Sequence, residues 1–115
     1  MYANGANEEL IGSVLAEGDN RSKVFVITKF GQRWGEGIDG YKCDGSASYT
    51  TAAIDASIKR LGFAPDAWAL HRIDKTVPIE ETVKAMDDAR KAGKTTYIGL
   101  SEVSCRPFIK LRLDN

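Results

Sequence analysis

The sequence predicts an α/β protein in which short parallel strands alternate with amphipathic helices. Three observations carry this. Apolar runs of strand length recur at "KVFVIT" (23–28), "AWALH" (67–71) and "TTYIGL" (95–100). Continuous apolar runs of that kind belong to parallel sheets covered by helices, and segments with helical apolar spacing lie between these three. Glycine or proline marks the joints, at Gly18, Gly62, Pro65, Pro78 and Gly93, where helices stop or the chain turns.

Each element has its own reason. Asn7-Glu8-Glu9 precedes Leu10, Ile11, Val14 and Leu15. Acids in the first turn suit the helix dipole, the four apolar residues form one predicted buried face, and Gly18 ends the helix. "KVFVIT" reads as a strand buried on both faces. "FGQRWGEGIDGYKCDGSAS" (30–48) has five glycines and no period, so it reads as a long loop, a class often functional in compact domains. "YTTAAIDASIKRL" (49–61) sets Ile54, Ile58 and Leu61 on one helical face, with Ser48 as N-cap and Gly62 as stop. "AWALH" is the second strand. "VPIEETVKAMDDARKAG" (77–93) is the clearest helix, with Pro78 near its start, acids in its first turn, and Ile79, Val83, Met86 and Ala89 as core stripe. "TTYIGL" is the third strand. The order implies right-handed βαβ crossovers.

Composition narrows the function. Lys+Arg and Asp+Glu both total 16, so the net charge is zero, which removes the electrostatic case for nucleic acid or an anionic membrane. No apolar run approaches the ~20 residues of a membrane span, and "MYANGANEE" has no signal-peptide pattern. Cys43 and Cys105, far apart, read as reduced thiols of a cytoplasmic protein rather than a disulfide or metal pair. "GYKCDGSAS" could open a phosphate-binding helix, but neither G-x-x-x-x-G-K-[ST] nor G-x-G-x-x-G is present.

Chemistry is expected where parallel strands end, because active sites of α/β sheets and barrels lie at that rim. Lys29, His71 and Ser101-Glu102 follow the three strands. Singly, Lys29 reads as a snorkelling lysine, His71 as a hydrogen-bonded structural histidine, and Ser101 and Tyr2 as uninformative. Together they form an apparatus for delivering a proton to an oxygen. An ammonium beside a tyrosine stabilises phenolate and lowers the tyrosine's pKa toward neutrality. An imidazole orients a carbonyl by a hydrogen bond. Arg72 and Asp74 read as solvated neighbours.

Tyr2, "NEELIG" (7–12), "VITKFG" (26–31), "ASIKRLG" (56–62), "ALHRID" (69–74), "PIEETVKAMDDARKAGK" (78–94) and "YIGLSE" (97–102) follow one another in an order and spacing that resembles the aldo-keto reductases, most of all their pyridoxal-reductase-like branch. The likeness covers 1–104, leaving 105–115 as a divergent tail. It implies a partial (β/α)8 barrel and NADPH-dependent reduction of aldehydes and ketones, with no metal. Tyr2 matches the proton-donating tyrosine, Lys29 the lysine beside it, His71 the carbonyl-orienting histidine, and Ser101 the serine that bonds the nicotinamide carboxamide. Glu102 stands where the family usually has Asn. Trp34 either lines the substrate pocket or packs structurally. The family's catalytic aspartate, just before the tyrosine, and its strands after the fifth have no counterpart here. The chain is therefore expected to be a fragment, inactive by itself. An alternative expectation is a non-catalytic module that self-associates through open sheet edges.

Overall fold

The computed structural model describes residues 5–34 and 41–101, apart from the side chains of Trp34 and Tyr41. Its elements run α1 (Ala6–Leu15), a 3-10 turn (Asn20–Lys23), β1 (Ile27–Phe30), β2 (Gln32–Trp34), β3 (Tyr41–Cys43), α2 (Ala47–Leu61), β4 (Ala67–Leu70), α3 (Ile79–Lys91) and β5 (Tyr97–Leu100). β1, β4 and β5 pair in parallel in the order β1-β4-β5, so Ile27, Ala67 and Tyr97 make one row across the sheet. The predicted alternation of three parallel strands with helices is present. Among the described residues no helix is long and apolar enough to cross a membrane.

Strand alternation decides what faces the helices. Phe30, Trp68 and Leu70 are buried on that side with Ile54 of α2 and Met86 and Ala89 of α3, and Ile98 and Leu100 pack against them. The Phe30 and Trp68 rings stack with centroids 4.2 Å apart. Of the predicted stripes, Ile54, Met86 and Ala89 lie in this core and Ile58 and Ile79 at its margin, whereas Leu61 is buried outside this cluster and Val83 is only half-buried. Gly62 ends α2 in the left-handed region, at φ 84, where glycine has no Cβ to clash.

Four expectations are corrected. The first strand does not lie at 23–28 and is not buried on both faces. Residues Asn20–Lys23 coil into the 3-10 turn, the strand begins at Ile27, and Ile27 is 59% exposed. The stretch 30–48 is not all loop, because β2 and β3 pair antiparallel, with Gln32 beside Cys43 and Arg33 beside Lys42. The N-cap of α2 is Ser46, not Ser48. Ser46 Oγ accepts from the Tyr49 N–H at 3.3 Å, while its own N–H and hydroxyl donate to Asp44 Oδ1.

The fourth correction concerns α1. Leu10 and Val14 point outward, 64% and 51% exposed, and Glu8 is buried. Two contacts set this rotation. Gly12 packs so closely on α2 that a Cβ there would stand 2.3 Å from the Leu61 carbonyl oxygen. Glu8 Oε1 accepts from Arg60 Nε at 2.9 Å and from Arg60 Nη2 at 2.6 Å, and Glu8 Oε2 accepts from the Thr28 hydroxyl at 2.9 Å. The buried carboxylate thus joins α1 to α2 and β1.

Candidate active site

The sheet face opposite the helices carries Ile27 and Lys29 from β1, Ala67 and Ala69 from β4, and Tyr97 and Gly99 from β5. Lys29 shares its row with Ala69 and Gly99. One step past the strand ends, the His71 N–H donates to the Phe30 carbonyl at 2.8 Å and the Ser101 N–H to the Leu70 carbonyl at 3.1 Å. These bonds extend the ladder, and alternation puts His71 and Ser101 on the Lys29 face. With strands about 4.8 Å apart and a rise of about 3.3 Å per residue, the backbones of Lys29 and His71 stand roughly 8 Å apart, and those of His71 and Ser101 about 5 Å.

The Ser101 hydroxyl reaches the Leu70 carbonyl oxygen at 2.8 Å and the His71 carbonyl oxygen at 2.9 Å. Its proton is thereby committed to the neighbouring strand, and the oxygen presents acceptor capacity to a ligand. Three predicted site residues, Lys29, His71 and Ser101, are brought together at one end of one face. Tyr2, Glu102, Cys105 and the tail lie outside the described residues, as does the Trp34 side chain. Cys43 is a free thiol on β3.

Asp74 corrects the expectation of a solvated residue. It is 9% exposed. Its Oδ2 accepts from the Gly45 N–H at 3.0 Å, and its Oδ1 accepts from the Thr76 N–H at 2.9 Å and the Thr76 hydroxyl at 2.6 Å. Burial pushes its pKa up, but the Thr76 and Gly45 donors, with the Lys42 charge, outweigh it and hold the carboxyl below its ordinary value. The sequence signal was the spacing Asp-x-Thr just after a strand, which favours a turn closed by the Asp side chain. Arg72 is exposed.

A model of the Aldo/keto reductase family matches residues 1–112. The chain belongs to this family. An aldo-keto reductase from Gibberella moniliformis is 40% identical over 109 residues, which are 95% of this chain and 32% of that protein. The aldo-keto reductase yakc of Schizosaccharomyces pombe, whose name carries NADP(+), is 38% identical over 105 residues, 90% of this chain and 31% of its own. Among solved structures, the holo form of an aldo-keto reductase from Bacillus halodurans superposes with a TM-score of 0.76 at 30% identity, covering 88% of this chain and 34% of that one. A glycerol dehydrogenase from Gluconobacter oxydans superposes with 0.82 at 29% identity, covering 94% and 34%. The chain thus spans about a third of the length of the relatives it matches, and its α/β fold corresponds to part of the aldo-keto reductase barrel.

Proposed function

We propose that the chain carries part of the active site of an NADPH-dependent reductase that converts aldehydes and ketones to alcohols. Tyr2 is the general acid, Lys29 the cation that makes it acidic, His71 the donor that orients the carbonyl, and Ser101 a contact to the nicotinamide carboxamide. The observation that supports this most is the gathering of Lys29, His71 and Ser101 on one face at the C-terminal end of a parallel sheet. The committed hydroxyl of Ser101 fits the carboxamide, because its oxygen is left to accept an N–H. When bound, the reduced nicotinamide supplies hydride. His71 holds the carbonyl oxygen, Tyr2 gives it a proton as negative charge builds, and Lys29 stabilises the resulting phenolate. NADP(+) in the name of the S. pombe relative favours the phosphorylated dinucleotide. A cytoplasmic setting goes with the free thiol of Cys43.

The isolated polypeptide is expected to turn over weakly or not at all. The aspartate and later loops that the resemblance calls for have no counterpart in its 115 residues. The direct test is a nuclear magnetic resonance titration with NADPH, followed at the Ser101 amide and the His71 ring. Shifts at both are expected; signals that stay still up to millimolar NADPH would defeat the reading. In parallel, NADPH oxidation with pyridoxal should be slow and should vanish in Tyr2→Phe. Fast turnover would overturn the expected inactivity, and turnover that survives Tyr2→Phe would remove Tyr2 from its role.

A second reading, self-association without catalysis, is favoured by one observation. Phe25, Ile27 and Tyr97 are all more than half exposed, and the Phe25 and Tyr97 rings lie 6.1 Å apart. Light scattering on the eluting protein distinguishes a defined dimer, expected on this reading, from a monomer.

A further inference from the structure

The β2–β3 hairpin leaves the sheet at the His71 end and is fastened there at its base. Gly31 follows β1 directly and stands in the row of His71 and Ser101; a Cβ on it would meet Leu70 Cδ1 at 2.6 Å. The Asp44 N–H donates to the Gly31 carbonyl at 2.9 Å, which closes the base, and Asp44 Oδ2 accepts from Arg33 Nη1 at 3.1 Å. The next residue, Gly45, is gripped from two sides. Its N–H donates to Asp74 Oδ2, and its carbonyl accepts from the Thr82 hydroxyl of α3 at 2.6 Å. Side-chain bulk has no room there, since a Cβ on Gly45 would lie 2.7 Å from Thr82 Oγ1 and 3.2 Å from Asp74 Cβ. Asp74 itself stands three residues after His71 in the loop that leaves β4. One buried carboxylate therefore bonds both the base of the hairpin and the loop that carries His71.

We propose that Asp74 is a positioning residue that locks the paired β2 and β3 strands to the His71 loop, so that the base of these two strands and the imidazole form one rigid wall of the substrate mouth. The wall's role toward a carbonyl substrate rests on the reductase reading; the lock does not. Asp74 touches no reacting atom and acts through Gly45 and the His71 loop.

The test is amide hydrogen exchange and imidazole resonances in wild type, Asp74→Ala, Asp74→Asn, Thr82→Val and Thr76→Val. His71 is the chain's one histidine, so its ring signals are unique. Asp74→Ala should raise exchange in the β2–β3 strands about tenfold or more, leave the α1–α2 amides unchanged, and shift the His71 ring signals. Asp74→Asn keeps one acceptor oxygen and should fall between. Thr82→Val loosens Gly45 from the α3 side and should also raise hairpin exchange, which keeps the test open if Asp74→Ala does not fold. Thr76→Val spares the Gly45 bond and should leave the hairpin as in wild type. Unchanged hairpin exchange in Asp74→Asn and Thr82→Val overturns the proposal. So does faster hairpin exchange with His71 signals unmoved, because the two would then not be coupled. Failure of the reductase reading is seen separately, as a missing response to NADPH in wild type.

Discussion

Glu8 is buried and bonded to Arg60 and Thr28, so its removal leaves a guanidinium largely shielded from water without its partner. Glu8→Ala is expected to lose about 3 kcal/mol in urea denaturation, since breaking a buried pair from one side exposes the full desolvation cost. The double variant Glu8→Leu with Arg60→Met should lose distinctly less, because neither charge remains. Asp66 and Asp74 contribute to the acid limb of stability. The Arg21 side chain and the Val26 N–H hold Asp66 below its ordinary value against a smaller burial effect. For Asp74 burial opposes, and the Thr76 and Gly45 donors prevail. Both native pKa values lie below the unfolded ones, so their stabilisation is complete above the unfolded carboxylate pKa of about 4 and is lost as pH falls through the native values. Thermal melts should hold steady from neutral pH to about 5 and fall below about 4, with a shallower fall in Asp74→Asn.

At the scale of elements, two glycines that look alike in sequence act differently. Gly62 has nothing within 4 Å of a would-be Cβ and only its positive φ resists substitution, so Gly62→Ala should cost about 1 kcal/mol. Gly12 has an ordinary helical role but faces the Leu61 backbone. Gly12→Ala must push α1 off α2 and should cost about 2–3 kcal/mol in the same denaturation series, with Leu10→Ala near zero because Leu10 is exposed. The α3 stripe was legible in the sequence because its spacing, capping and charge agree. The α1 stripe misled, because a buried ion pair and a glycine contact set that helix's rotation and periodicity records neither. The β2–β3 pairing was hidden by five glycines, since strands of three residues leave almost no alternation to detect.

For the molecule as a whole, the core of Phe30, Ile54, Trp68, Leu70 and Met86 lies between sheet and helices, while the opposite sheet face carries the candidate site. Leu70→Ala, at a fully buried position, should cost about 3–4 kcal/mol by loss of burial and by the cavity left behind; a midpoint of thermal unfolding unchanged from wild type would contradict this core. By itself the sequence determined the alternation of strands and helices and the residues at the strand ends. Apolar runs, caps and breakers are local, and each is written within a few neighbouring residues. Only the tertiary structure decided that Lys29, His71 and Ser101 share a face, that Ile27 and Tyr97 on that face are exposed, and that Asp74 grips Gly45 across 29 positions of chain. Those outcomes depend on register and close approach between distant segments, which arise from packing the whole chain at once.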